Sequence, residues 1–288
     1  MRKSFLICLI CGVSYNAYSN EEICSGDMIS ANDFNNFIFS QEQPFNDSLR
    51  EINLLIKSKD DYISNSTHAE FDVCGRLLNL KSSEVVKSRI NERILISTTD
   101  AVINGNDKNW DYKMTFKMSA VNREGGIENT FMSQEVSGKF QTDSNGKINK
   151  SEDASSVFFG KERVLAKAVT TFLIDDKGRI SESNRVSTME NDSVNTIYSY
   201  DSENRVIQTR SGSTTEDFTY DDHGRELSNK KVQELFTTET TVTTCKDWNK
   251  FGRCTSAEQK ISVLIKGDKG KEDAIYSHHA DVEYDYVY

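Results

Sequence analysis

The residues that could carry out chemistry are spread along this chain without a catalytic spacing. Nucleophilic catalysis needs a serine or cysteine beside a base, and the sequence contains no Gly-x-Ser-x-Gly motif. The four histidines have no partners at the spacing of metal ligands. His278 and His279 are neighbours on a predicted strand, so their rings should face opposite sides. We therefore predict no catalytic residue, no metal site and no cofactor.

Two kinds of acidic segment in the sequence resemble functional sites. Residues 141–152 match four positions of an EF-hand loop, but Gln141 stands where the first aspartate should be. The pairs Asp175-Asp176 and Asp221-Asp222 could be mistaken for paired catalytic carboxylates. Adjacent side chains in a turn usually point to solvent, so we interpret these segments as turns.

The composition excludes several functions. Lys and Arg total 35 against 45 for Asp and Glu, which gives a net charge of −10. This balance disfavours binding to nucleic acid and electrostatic attachment to an anionic membrane. Hydrophobic residues at 36% suffice for a packed core. The only proline, Pro44, excludes a proline-rich stalk or linker.

The N-terminus predicts export. Arg2 and Lys3 precede the short apolar run Phe5 to Val13, and Ala17-Tyr18-Ser19 fits a cleavage site. Residues 1–19 are thus a predicted signal peptide, with a periplasmic mature chain 20–288. A lipoprotein needs a small residue before the acylated cysteine, whereas Ile10 precedes Cys11. Lipidation at Cys11 is therefore the alternative, and no later segment predicts a transmembrane helix.

The cysteines of the mature chain predict two disulfides. An even number in an exported protein favours pairing, and three connectivities exist. Closeness in sequence favours Cys245–Cys254, which leaves Cys24–Cys74. If Cys245 and Cys254 lie on a regular hairpin they face opposite sides, so this bridge requires an irregular strand.

A short pattern recurs along the chain and predicts β-hairpin tips. It begins with an aromatic or apolar residue and Asp or Asn, continues with two variable residues and Gly or Asn, and ends with a cation. The acid can accept backbone N–H bonds, and the fourth position needs a positive φ, as in a type I turn with a G1 bulge. The predicted turn residues are Gly75, Gly146, Gly178, Asn204, Gly224 and Gly252, with a looser copy at 121–127.

The segments between these tips predict strands. Apolar and polar residues alternate from Trp110 to Ala120, and alternation returns at Val282, Tyr284 and Tyr286. Residues 84–96 and 162–172 fit either a helix or a strand, and residues 33–58 show no clear period. We predict a mainly all-β chain in a single domain. It forms an antiparallel meander of hairpins in one large twisted or rolled sheet, with at most minor helix.

Parts of this sequence resemble two known groups of proteins. The Tyr-Asp-x-x-Gly-Arg copies, such as 220–225, resemble the YD hairpins of Rhs-type toxin shells. The segments 44–50, 71–72, 218–224 and 245–288 resemble, more closely, the enterobacterial YnfC family of uncharacterised envelope lipoproteins. That resemblance implies a Gram-negative envelope protein and carries no known activity.

Three functions remain open from the sequence. The first is a non-enzymatic binding or structural module that presents a sheet face to an envelope partner or an apolar ligand, with peripheral membrane association as an option. The second is a periplasmic hydrolase whose site assembles only in space. The third is a small outer-membrane β-barrel, because the terminal aromatic with alternate apolar residues is typical of such proteins.

Overall fold

The computed structural model describes residues 24–40, 49–90, 93–106, 108–122, 129–190, 192–235, 237–267 and 272–288 of the 288-residue chain. The predicted signal peptide and Cys11 lie outside these residues, as does most of the looser turn copy at 121–127. In the described part of the chain, no helix combines the length and the apolar character needed to cross a bilayer.

One helix precedes the strands. The helix α1 covers Gly26–Ser40. The strands are β1 (Glu51–Ser58), β2 (Ile63–Phe71), β3 (Leu77–Ile90), β4 (Arg93–Asn106), β5 (Asn109–Asn122), β6 (Asn129–Thr142), β7 (Ile148–Phe159), β8 (Glu162–Ile174), β9 (Ile180–Ser187), β10 (Val194–Tyr200), β11 (Val206–Ser211), β12 (Thr214–Tyr220), β13 (Glu226–Glu234), β14 (Thr238–Trp248), β15 (Cys254–Ile265) and β16 (Ala274–Val287).

The strands form a closed antiparallel barrel. Each strand pairs with its neighbours in sequence, and β1 pairs with β16 from Glu51↔Val287 to Ser58↔Ala280. Closure leaves neither terminal strand with an unpaired edge. The predicted all-β meander with minor helix is confirmed, and the rolled sheet closes completely.

The segments with ambiguous periods are strands. Residues 84–96 belong to β3 and β4, which pair in regular register from Asn79↔Asn104 to Ile90↔Arg93. Residues 162–172 form most of β8, in which the buried residues Ala166 and Ala168 alternate with exposed ones. This two-residue period places one face of the strand in the barrel interior and the other in solvent.

The helix α1 closes one end of the barrel. Its Phe39 packs on Trp110 of β5 and Phe140 of β6, with ring centroids 5.2 Å apart in both pairs. On another side of the helix, Phe34 and Phe37 belong to a buried cluster with strand residues Ile180, Val206 and Phe218. These contacts show which strand faces point inward, because side chains from distant strands meet the helix there.

Candidate functional site: the plugged end and the lumen

The predicted turn residues gather at the end of the barrel that α1 closes. Each tip follows an even-numbered strand, so all six lie at the same end of the meander. Their φ angles are positive, from +76° at Gly75 to +81° at Gly146, and Asn204 has φ +66°. The register shifts by one residue immediately before several tips, as between Thr219 and Tyr220, which is the expected bulge.

The aspartate or asparagine that begins each tip organises the turn. Asp201 Oδ1 accepts hydrogen bonds from the backbone N–H groups of Glu203 and Arg205, both at 2.9 Å. Asp201 Oδ2 accepts a bond of 2.7 Å from Arg205 Nε. Although burial opposes ionisation, the backbone N–H and guanidinium of Arg205 lower the pKa of Asp201. The tip is therefore fixed by one ionised carboxylate.

Neighbouring tips are tied to one another by the cation and the aromatic residue of the pattern. The Arg205 guanidinium lies 4.6 Å from the centroid of the Tyr220 ring on the next tip. Tyr220 donates its hydroxyl proton back to the carbonyl oxygen of Val206 at 2.7 Å. The sequence showed both residue types in the pattern, but their role between hairpins was missed, because it depends on adjacent tips lying side by side.

The same tie recurs around the rim. Arg179 lies 4.1 Å from the Tyr200 ring, and Tyr200 donates to the carbonyl oxygen of Ile180. Arg225 lies 4.5 Å from the ring of Trp248. Cation–π contacts of this kind contribute about 0.5–1 kcal/mol each where exposed. Because these contacts link one tip to the next, the tips form a continuous platform rather than a set of independent loops.

Asparagines of α1 hold the helix on this platform. Asn36 donates to the carbonyl oxygen of Gly75 at 2.8 Å. Asn35 donates to the carbonyl oxygen of Gly146 at 2.8 Å and accepts from the N–H of Ile148 at 2.7 Å. These bonds satisfy backbone groups that would otherwise be buried without partners. The helix thus recognises the tips through their backbone.

Both predicted disulfides are confirmed. The Cys24–Cys74 bridge links the residues just before α1 to the first tip, with a Cα–Cα distance of 5.4 Å. The Cys245–Cys254 bridge joins β14 to β15. The irregular strand that this second bridge requires is present, because the register shifts on both sides of Asp247. Two disulfides are typical of proteins outside the reducing cytoplasm.

The lumen contains a buried ionic network. The Asp153 carboxylate of β7, only 1% exposed, pairs with the Arg185 guanidinium of β9 at 2.6 Å. Arg185 also pairs with Asp192 at 3.1 Å, and Tyr112 of β5 donates to Asp153 at 2.9 Å. Burial and the Asp153 charge raise the pKa of Tyr112. Gly138 of β6 lies between them and leaves room for the Tyr112 ring.

A second polar cluster lies at the opposite end of the barrel. His278 of β16 hydrogen-bonds to Asp60 and stacks on Tyr62 with a centroid distance of 3.6 Å. Although burial opposes ionisation, hydrogen bonds from His278, Ser58 and the Tyr62 backbone lower the pKa of Asp60. Burial and the Glu239 carboxylate raise the pKa of Tyr62 to about 12. In the described part of the chain, no serine or cysteine side chain bonds to His278.

The neighbouring histidine is placed differently. His279 lies 3.4 Å from Glu258 and its side chain is 58% exposed, against 19% for His278. The two rings thus have separate surroundings. The segment that imitates an EF-hand is a hairpin: Asp143 caps the tip at 143–147, and Glu152 pairs with Lys139 across β6 and β7.

The outer face of the barrel is charged at mid-height. On β5 the exposed residues Lys113 and Lys117 face outward, because each is an odd number of residues away from the inward-facing Tyr112. On β6 the exposed residues on the same face include Glu135 and Lys139. A stripe of exposed apolar residues on β8, Leu165, Val169 and Leu173, is interrupted by Lys167.

Comparisons with known proteins found a family model and solved structures that are similar to this chain. A family model described as Teneurin YD-shell matches residues 117–256, somewhat less than half of the chain. This match supports the YD-type resemblance of the tips. A porin-like protein from Bacteroides uniformis, solved as a crystal structure, is similar at 9% identity with a TM-score of 0.44. The similarity covers 84% of this chain and 98% of that one. No curated protein matches the sequence.

Proposed function

We propose that this protein is a non-enzymatic binding module of the cell envelope that receives an envelope partner or ligand in its lumen. The observation that carries the proposal is the asymmetry of the barrel. One end is closed by α1 through bonds such as Asn35 to Gly146, while the wall continues away from the helix for the length of strands such as β4 and β5. A barrel of sixteen strands is wide enough for an interior space.

The inward side chains of the barrel include polar groups as well as apolar ones. The inward face carries the Asp153–Arg185 pair, and the Asp60–His278 pair lies at the end of the barrel away from α1. Ion pairs are uncommon in a packed core, because removing each ion from water costs several kcal/mol and the partner offsets that cost only when the geometry is good. Apolar residues such as Ile52 and Val282 also face inward. The lumen therefore suits an occupant that has both polar and apolar parts.

The proposed location of this module is the periplasm. The two disulfides support an oxidising compartment. The proposed route is cleavage of residues 1–19 as a signal peptide, with lipidation at Cys11 as the alternative. Membership of the YnfC-like family stays a prediction.

The enzymatic alternative has one feature in its favour, the Asp60–His278 pair. An acid–base pair of this type orients a histidine for catalysis when a nucleophile stands at the other ring nitrogen. In the described part of the chain no serine or cysteine side chain occupies that place, and Tyr62 covers the ring instead. We therefore propose that the protein has no enzymatic activity.

The outer-membrane alternative conflicts with the outer face. A membrane barrel needs an outward apolar band about 25 Å tall. Lys113 and Lys117 lie near the middle of β5 on that face, and a lysine at the bilayer midplane costs about 2–4 kcal/mol. The interrupted apolar stripe on β8 does not compensate for these charges. A barrel surrounded by water fits the surface better.

Adjacent residues of β4 provide the test. Thr99 faces the lumen, since it pairs with inward Phe116, whereas the exposed Asp100 faces outward. A photo-crosslinking amino acid is placed at either position in the organism that encodes the protein. After irradiation and a high-salt wash of the envelope, adducts are identified by mass spectrometry.

We expect a defined adduct from position 99 and none from position 100. Adducts formed equally at both positions, or at position 100 alone, would contradict lumenal binding. Lipid adducts at position 100, together with retention in outer membranes after the wash, would favour the membrane barrel. Absence of adducts at both positions would also reject the proposal.

A further inference from the structure

A cavity of about 360 Å³ opens beside α1 at the plugged end. It lies between the first turns of the helix and the tips that follow β6, β8 and β10. Its apolar wall consists of Phe34, Phe37, Ile180 and Val206, which form a buried cluster, and of the half-exposed Ile29. The volume lies in the range of small-molecule sites, about 300–1,000 Å³.

Cations line the mouth of this cavity. Lys147 Nζ donates to the carbonyl oxygen of Gly178 at 3.2 Å and lies 5.0 Å from the centroid of the Phe34 ring. Lys177 Nζ donates to Asn204 Oδ1 at 3.3 Å. Among the described residues, neither ammonium group forms an ion pair with a carboxylate. Both ammonium groups therefore lie beside an apolar wall without a carboxylate at ion-pair distance among the described residues.

Among the described residues that line the cavity, the other charged groups leave the net charge positive. Arg179 also lines the cavity, but Asp175 neutralises its guanidinium at 2.6 Å. Asp33 of α1 is the carboxylate on the opposite wall. The two lysines thus outnumber Asp33, in a protein whose overall charge is −10. Salt screens charges beyond about 8 Å at physiological strength, so these local charges govern what enters the cavity.

We propose that this cavity binds a small amphipathic anion. Its carboxylate, sulfonate or phosphate head lies between Lys147 and Lys177, and its apolar body lies against Phe34, Phe37 and Val206. The two parts of the cavity act together, since an apolar tail excludes water and strengthens the contact between the head and the lysines. Ligand sites commonly combine an apolar lining with a few polar groups in this way.

This site is separate from the lumenal binding proposed above. It opens on the tip side of α1, while the lumenal network of Asp153 and Arg185 lies on strands β7 and β9. Cross-linking at Thr99 reports on the lumen and leaves this cavity untouched. Failure of either proposal therefore leaves the other standing.

Octanoate is the probe for the test. Isothermal titration of the purified mature protein with octanoate is compared with acetate, which has the head without the tail, and with octylammonium, which has the tail with the opposite charge. Saturation-transfer NMR detects binding that is too weak for calorimetry. We expect saturable one-to-one binding of octanoate, and at least about tenfold weaker binding of the other two compounds.

Two variants and two matched controls locate the site. Ile29→Glu places a carboxylate at the apolar wall, and its control Met28→Glu alters the neighbouring exposed residue of α1, which does not line the cavity. Lys177→Gln removes a cation at the mouth, and its control Lys250→Gln alters a lysine on another tip. Thermal melting verifies that all four variants fold.

We expect Ile29→Glu to abolish octanoate binding and Lys177→Gln to weaken it at least about threefold. Met28→Glu and Lys250→Gln should bind as the parent does. The proposal is overturned if octanoate does not saturate, if acetate or octylammonium binds equally well, or if the two variants bind like their controls.

Discussion

Replacing Gly138 by alanine tests the packing of the lumenal network. A Cβ at this position would lie 2.4 Å from Cζ and 2.6 Å from the hydroxyl oxygen of Tyr112, and 2.7 Å from Asp153 Cβ. All three distances are shorter than real contacts allow, so the Tyr112 ring must move. Overpacking costs about 1–3 kcal/mol, and weakening the bond from Tyr112 to the buried Asp153 carboxylate costs about 1.5–3 kcal/mol.

The expected loss is therefore about 2.5–6 kcal/mol, which corresponds to a fall in melting temperature of about 5–24 °C. Chemical unfolding monitored by circular dichroism measures it. Gly26→Ala is the matched control, because nothing lies within 4 Å of a Cβ at Gly26. In an ordinary strand, replacing glycine by alanine raises the free energy of unfolding by about 0.5–1 kcal/mol. The loss of stability expected at position 138 therefore has the opposite sign to the ordinary effect.

A double-mutant cycle isolates the cause of this loss. In a Tyr112→Ala background two of the three close contacts disappear, and Gly138→Ala should then cost less than half of its original penalty. Two results would refute the argument that a glycine is required at position 138 to make room for the Tyr112 ring. One is an equal loss of stability in both backgrounds, and the other is an unchanged melting temperature in the single variant.

Three further predictions concern the tips and bridges. Gly224→Val should destabilise by about 1 kcal/mol or more, since φ is +78° there; an unchanged melting temperature would contradict the turn. Asp201→Asn should destabilise the protein at neutral pH. Because folding lowers the pKa of Asp201, its stabilisation exists above the unfolded value, near 3.9, and is lost as the pH falls. The gap in unfolding free energy between Asp201→Asn and the parent should thus close below about pH 4, while Asp222→Asn, in an exposed turn position, should show no gap. Thiol titration of the mature protein without reductant should find no free thiol, and four would disprove both bridges.

The hairpin tips could be predicted from the sequence because their chemistry is local. An aspartate such as Asp201 caps a turn through N–H groups two and four residues away, and the fourth position needs the φ that Gly224 adopts. Neither requirement depends on the rest of the fold. Cysteine pairing followed from proximity for the same reason. Closure of the barrel is different, since it rests on β1 meeting β16 across the whole chain.

The strand β1 shows why closure could not be predicted. Its inward residues Ile52, Leu54 and Ile56 pair with Tyr286, Tyr284 and Val282 of β16. The outward Leu55 is 48% exposed and interrupts the alternation that would have identified the strand. The period of β16 was visible because acidic residues occupy its outward positions. In β1, by contrast, apolar residues occur on both faces. No two-residue period was therefore visible, and residues 33–58 stayed unassigned.

The helix α1 escaped prediction because asparagines interrupt its buried apolar residues. Helices are usually recognised by an apolar stripe, yet Asn32, Asn35 and Asn36 are among the most buried residues of α1. Each donates a side-chain N–H to a backbone carbonyl of a tip. Two of these carbonyls belong to the positive-φ residues Gly75 and Gly146, and the third belongs to Cys74, just before Gly75. The tips therefore do more than reverse the chain. By pointing carbonyl groups toward the barrel axis, they create the surface on which an asparagine-bearing helix can close that end.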